Sequence, residues 1–208
     1  MPTSADIALF AAGHSNANVE TLDISGTVTT EINIRDVGDY PSVVTLDITN
    51  CLSLVHFVGG NNDALETLTG LNTCVYINNL YTGPYFDGLT SLDISALTVL
   101  VTLQTTGEIG SLEGLDLSAN TSLQYCYIPY WPVGLNGLTL PASPLKEIVC
   151  AHCGLNTEGQ SDAVLAACVA GGQTGGICIL DGNAYPSAQG LADKATLEGL
   201  TPPWTVVL

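Results

Sequence analysis

Four aspartates occupy nearly identical surroundings: Asp23 in LDIS, Asp47 in LDIT, Asp93 in LDIS and Asp116 in LDLS. Carboxylates are the hard oxygen donors that Ca²⁺ takes, so a recurring acidic position is a candidate cation row. Stacked at strand spacing, neighbouring carboxylates would repel by about 3 kcal/mol at an effective dielectric of ~20. Something must offset that repulsion. One answer is Ca²⁺, which makes the chain a Ca²⁺-binding solenoid. The other is hydrogen bonding to Ser25, Thr49, Ser95, Ser118 and the backbone, as short acidic side chains do in turns. Neither an EF-hand loop nor a tandem acidic nonapeptide is present. Thr69 takes the place of the third aspartate and leaves two close pairs, Asp23 with Asp47 and Asp93 with Asp116.

Aromatic residues form the second constellation. Six of the eight tyrosines fall between positions 76 and 130: Tyr76, Tyr81, Tyr85, Tyr125, Tyr127 and Tyr130. Phe86 and Trp131 join them in the segments YINNLYTGPYFDG and YCYIPYWPVG. Tyr and Trp beside Gly and Pro supply contact area at little entropic cost, as protein- and sugar-binding surfaces require. The ligand-binding set read from this pattern is Tyr81, Tyr85, Phe86, Tyr125, Tyr127, Tyr130 and Trp131. The competing reading is that these rings cover the flank of the fold, with Pro84, Pro129 and Pro132 stiffening the turns.

Other chemistries find little support. CAHC (residues 150–153) gathers three potential zinc ligands, but no partner pair follows at zinc-finger spacing. On a strand Cys150 and His152 would share one face and Cys153 the other. No G-x-S-x-G is present, GQSDA reads as a helix cap, and GGQTGG lacks a phosphate-cradling lysine. Polysaccharide-cleaving solenoids use carboxylates, some with a cationic base or clamp. This chain has 20 Asp+Glu but only 3 Lys+Arg, for a net charge of −17. Arg35, Lys146 and Lys194 are too few and too scattered for nucleic acid or an anionic membrane. No enzyme activity and no resident cofactor are expected.

The spacing shows what must position these residues. Leu22, Leu46, Leu68, Leu92, Leu115 and Leu138 open six related segments 22 to 24 residues apart. A period of that length marks a solenoid, whose repeats bury their apolar sides on one another. Within LDxS the apolar residues alternate with Asp and Ser, as on a half-buried strand. A second apolar group follows each: Leu54 and Phe57, Leu100 and Leu103, then Leu123, Cys126 and Ile128, and finally Leu145, Ile148 and Cys150. Two strands leave no room for a full helix, so each coil should place one rung on each of two parallel ladders about 4.8 Å per coil.

LTSLDISALTVLVTLQ and LEGLDLSANTSLQYC carry L-x-x-L-x-L spacing, and on these residues the chain resembles leucine-rich-repeat proteins, in particular short bacterial and phage forms with LDxS repeats. The resemblance covers about 22–150. It implies a β-rich solenoid but no particular function.

The expected architecture is an N-terminal cap over 1–20, a leucine-rich-repeat-like solenoid over 21–155 and an α/β C-terminal cap over 156–208. In the last, Ser161 caps a helix over 162–170, a strand covers 177–180, a second helix covers 187–199 and an edge strand 204–208. Residues 1–13 lack a basic region and read as cap rather than export signal. The seven cysteines cannot all pair and lie in apolar strands, as core thiols do. The expected role is a non-enzymatic recognition or adhesion module for a protein or glycan on a cell surface, in an extracellular or virion setting such as a phage tail. A structural subunit contacting other virion proteins or itself is the alternative, and a cytoplasmic location remains open.

Overall fold

A computed structural model describes residues 21–26, 28, 31–33, 44–59, 65–82, 89, 91–105, 112, 114–131 and 137–208. The expected cap over 1–20 lies outside them. Among the described residues thirteen short strands, numbered in chain order, build a parallel β-solenoid with a helical C-terminal part.

The first ladder holds the LDxS segments: β1 (Thr21–Asp23), β3 (Thr45–Asp47) and β5 (Thr67–Thr69) in one sheet, β8 (Gly114–Asp116) and β10 (Gly137–Thr139) in another. The second ladder is continuous. In spatial order it runs β2 (Glu31–Asn33), β4 (His56–Gly59), β6 (Asn79–Thr82), β7 (Thr102–Thr105), β9 (Tyr125–Tyr127), β11 (Glu147–Val149), β12 (Ile177–Ile179) and β13 (Thr205–Val207). Its register stacks Ile32, Phe57, Leu80, Leu103, Cys126, Ile148, Cys178 and Val206 in one row. All but Val206 are buried. Alternating side chains make this row the inner face, and its burial against the first ladder holds the coils together.

Both ladders turn the same corner. Five residues after the inward anchor Leu46, the Cys51 thiol donates to the Ile24 carbonyl of the preceding repeat at 3.3 Å. Cys74 does the same to Ile48 at 3.3 Å, and Asn120 Nδ2 to Ile94 at 2.9 Å. On the second ladder Cys153 donates to Ile128 and Asn183 Nδ2 to Cys150, at 2.5 and 2.6 Å. One residue before the donor the backbone is left-handed at Asn50 on the first ladder and at His152 and Gly182 on the second. The corner donors satisfy buried carbonyls that strand pairing leaves open.

The expected continuity of the first ladder fails at Leu92. Residues 91–93 form no strand and pair with neither β5 nor β8. In the preceding repeat two residues separate the inward anchors, Leu68 and Leu71, where one separates them in the others. The extra residue makes a 3-10 turn, Leu71–Thr73, entered through left-handed Gly70. A Cβ on Gly70 would lie 2.3 Å from Thr49, so no side chain fits. The bulged repeat no longer presents a flat edge to the next. Leu97 then occupies the corner-donor position and has no polar group to offer.

Past β10 helices replace the first ladder. Helix α1 (Glu158–Ala170) precedes β12, and α2 (Ala188–Glu198) precedes β13 and packs on α1. The C-terminal segment thus extends the solenoid rather than merely closing it. Helix α1 starts before the expected Ser161: Gln160 Oε1 accepts from the Thr157 N–H at 3.0 Å, half of a capping box. Ser161 lies buried inside the helix and donates to the Ala184 carbonyl. Helix α2 has the expected Ser187 cap, whose hydroxyl accepts from the Gln189 N–H at 3.1 Å. Among the described residues no helix is long and apolar enough to cross a membrane.

Candidate functional site

The outer face of the second ladder carries two side-chain columns. His56, Asn79, Thr102, Tyr125 and Glu147 form one; Val58, Tyr81, Gln104, Tyr127 and Val149 form the other. All ten are half-buried, so they pack side by side into a continuous surface. Tyr81 and Tyr127 stand two rungs apart in one column, about 9.6 Å at strand spacing.

Neighbouring polar groups hold the rings in place. The Tyr127 hydroxyl donates to Glu147 Oε2 at 2.8 Å, diagonally across to the next rung. Burial, reinforced by that carboxylate, pushes the Tyr127 pKa up to about 12. Lys146 Nζ stands 5.9 Å from the Tyr125 ring centroid, within cation–π range. Asn79 Nδ2 lies 2.9 Å from His56 Nδ1 and donates to Asn78 Oδ1 at 2.7 Å.

The structure divides the aromatic set expected from sequence. Tyr81, Tyr125 and Tyr127 share this face, on strands rather than on loops. Tyr85 and Phe86 lie outside the described residues. Tyr130 is 59% exposed at the corner beyond β9, where its ring stacks on His152 with centroids 5.4 Å apart. Trp131 does not belong to a ligand surface: it is 1% exposed and its Nε1 donates to the Leu112 carbonyl at 2.6 Å. It stands five residues after Cys126, the inward corner position, where its ring becomes core. His56, Asn79, Thr102 and Gln104, which flank the tyrosines, were missed from sequence. Their signal is the inner row itself, since residues on either side of Leu80 and Leu103 must point outward.

The acidic set is likewise divided. Asp23 and Asp47 face each other in register, whereas Asp93 and Asp116 are not ladder neighbours because the ladder is broken between them. Each carboxylate closes its own turn. Asp23, Asp47, Asp93 and Asp116 Oδ1 accept from the N–H groups of Ser25, Thr49, Ser95 and Ser118 at 2.9, 2.8, 3.1 and 2.9 Å. Hydrogen bonds from Thr49, Ser95 and Ser118 hold the Asp47, Asp93 and Asp116 carboxyls below the ordinary carboxylate range. Among the described residues no group of three or more His, Cys, Asp or Glu is placed to hold a metal ion.

The CAHC segment is a solenoid corner. Strand β11 ends at Val149, and left-handed His152 turns both Cys150 and Cys153 inward while its own ring stays outside. The strand-based expectation that Cys150 and His152 share a face does not hold. All seven cysteines are free and buried. A hydrogen bond with the Cys178 thiol, together with burial, pushes the Cys168 pKa up; burial leads for Cys126, raised to about 12. Such thiols are packing residues, not nucleophiles.

No protein family, curated protein or solved structure matches the chain.

Proposed function

We propose that this protein is a non-enzymatic recognition module of leucine-rich-repeat type, acting outside the cell, whose second-ladder face docks a glycan chain or a protein surface. The observation that carries this reading is the placement of Tyr81, Tyr125 and Tyr127 on one face of a continuous ladder, interleaved with Asn79, Thr102 and Gln104. The rings offer flat apolar area, and the amides and hydroxyls offer donors and acceptors beside them. The backbone beneath is fully paired, so little ordering entropy is lost on binding. Hydrolysis with two carboxyls needs one held protonated. Asp93 and Asp116 share a cleft but both have lowered pKa values, which argues against an acid catalyst there.

A glycan and cell-surface binding screen with the full chain, repeated with Tyr81→Ala and Tyr127→Ala, tests the reading. Each substitution is expected to weaken attachment at least about tenfold. Equal binding by wild type and both variants would overturn it. So would a chain that binds no target but assembles into large particles, the behaviour of a structural subunit.

A further inference from the structure

A second surface lies on the opposite side of the solenoid. In the first ladder each rung is joined to the next by a bond from the residue after the strand: Ile24 N–H to the Asp47 carbonyl at 2.9 Å, Ile48 to Thr69 at 3.0 Å, Leu117 to Thr139 at 2.8 Å. The bond that would continue the series, Ile94 N–H to the Asp116 carbonyl, is absent among the described residues. A cleft of about 760 Å³ opens in its place. Asp93 and Ser95 line one wall, and Gly114, Asp116 and Ser118 the other. Leu92 is half-buried here, as Leu68 and Leu138 are, whereas Leu46 and Leu115 are buried.

We infer that this cleft receives an extended, lysine- or arginine-bearing segment of a partner protein, added as a strand along the open edge of β8. Three features select that occupant. Among the described residues the Asp116 carbonyl and the N–H of buried Ile94 have no backbone partner, so an incoming main chain gains by bonding them. Gly114 and Gly137, opposite each other in register, leave the outer backbone bare where the other repeats carry Thr21, Thr45, Thr67 and Ser91. An approaching chain therefore meets no side chain at that point. Asp93 and Asp116 then stand one on each wall, and on a chain of net charge −17 they favour a cationic side chain and reject an acidic one. Their turn hydrogen bonds keep both ionised at neutral pH.

The probe is a fluorescein-labelled nonapeptide of alternating Lys and Thr, read by anisotropy with the intact chain, against the same design with Glu for Lys. The Lys peptide is expected to bind and the Glu peptide not. Asp93→Asn with Asp116→Asn keeps both turns, since an amide oxygen accepts the same N–H, and should weaken binding about tenfold or more. Glu158→Gln with Asp193→Asn removes equal charge elsewhere and should change it by no more than about twofold. Amide exchange at Ile94 and Asp116 should slow when the peptide is bound. Equal weakening by the two double variants would overturn the inference, because attraction would then come from overall charge. Unchanged exchange at Ile94 and Asp116 would overturn it as well.

Discussion

The two ladders are written by the same chain with the same period, yet one is continuous and the other breaks between β5 and β8. The difference lies in the corners and in single-residue phase. On the second ladder each strand from β6 to β11 begins 22 or 23 residues after the one before, and the inner row stays in register. On the first, one extra residue before Leu71 puts the third repeat out of step, and the following repeat has Leu97 where a donor belongs. A missing donor alone does not open a rung. Ser143 holds the same position with its hydroxyl unpartnered, yet β8 and β10 remain paired. Extra residue and missing donor together mark the break. In a solenoid, stability is a sum over neighbouring contacts, so one ladder can part while the other carries the load.

The largest test compares two leucines of one repeat. Leu103 is fully buried in the continuous inner row, and Leu92 is half-buried beside the cleft. Leu103→Ala should cost about 2–5 kcal/mol, because its cavity is closed on all sides. Leu92→Ala should cost about 1 kcal/mol or less, since solvent already reaches it. Urea unfolding of both variants gives the two values. Equal costs would mean that the first ladder is as closed in solution as the second.

Next come the corner amides. Asn183 bonds through every available atom: Nδ2 to the Cys150 and Leu180 carbonyls, and Oδ1 from the Cys153 and Leu155 N–H groups at 3.1 Å each. Asn120 Nδ2 reaches the Ile94 and Leu97 carbonyls, but its buried Oδ1 has no partner. At about 0.5–1.5 kcal/mol per bond, Asn183→Ala should cost about 2–4 kcal/mol. Asn120→Ala should cost about 1 kcal/mol, because it also removes an unsatisfied oxygen. The ranking is the test, and a reversal would place the stronger corner beside the cleft.

The same corners show what could be read from sequence. The strands were legible because their apolar residues alternate with polar ones at Leu46, Ile48, Phe57 and Leu103. The corner donors were not recognised, although Cys51 and Cys74 stand one period apart and Asn120 two periods further. Trp131 was misjudged for the same reason. Its proline neighbours suggest a loop, but its distance from Cys126 gives it the inward corner. Cys153 and Asn183 are separated by α1, so no constant interval links them. The helix start was legible in Thr157 and Gln160, a T-x-x-Q box, but Ser161 is the more conspicuous cap. Of the aromatic face, the strand alternation points Tyr125 and Tyr127 outward together. It says nothing about which rung Tyr81 occupies, since that depends on how the repeats stack.

Smaller effects distinguish the turn role of the aspartates from charge. Asp47→Ala removes the acceptor for the Thr49 N–H and should cost about 1 kcal/mol. Asp47→Asn keeps an acceptor and relieves repulsion with Asp23, so it should lie within about 0.5 kcal/mol of wild type. The lowered pKa values of Asp47, Asp93 and Asp116 set the sign with pH. Their stabilisation is fully present above the unfolded value of 3.8 and is lost as pH falls through the lower folded values. Acid melts should therefore hold their midpoint down to about pH 4 and fall below it. Asp47→Asn should flatten that fall. A steeper fall would mean that Asp47 is not ionised in the fold.

The smallest effect belongs to the aromatic face. An ordinary tyrosine ionises near pH 10, whereas burial and the Glu147 carboxylate hold Tyr127 neutral to about 12. Here the folded value is raised, so the preference of the fold for the neutral phenol is present below pH 10. It is lost as pH climbs from 10 through 12. Tyr127 is only half-buried, so water still screens the phenol and keeps the effect on stability slight. The ultraviolet titration is the sensitive readout. One of the eight tyrosines should ionise about two pH units late, and Tyr127→Phe should remove that component. Glu147→Gln should move it only part of the way back, because burial is the larger cause. If Glu147→Gln returned it fully to 10, the face would be open enough for water to replace every contact except the carboxylate. The tyrosines would then be mobile rings rather than a fixed surface, and the second ladder would lose the rigidity that sets it apart from the first.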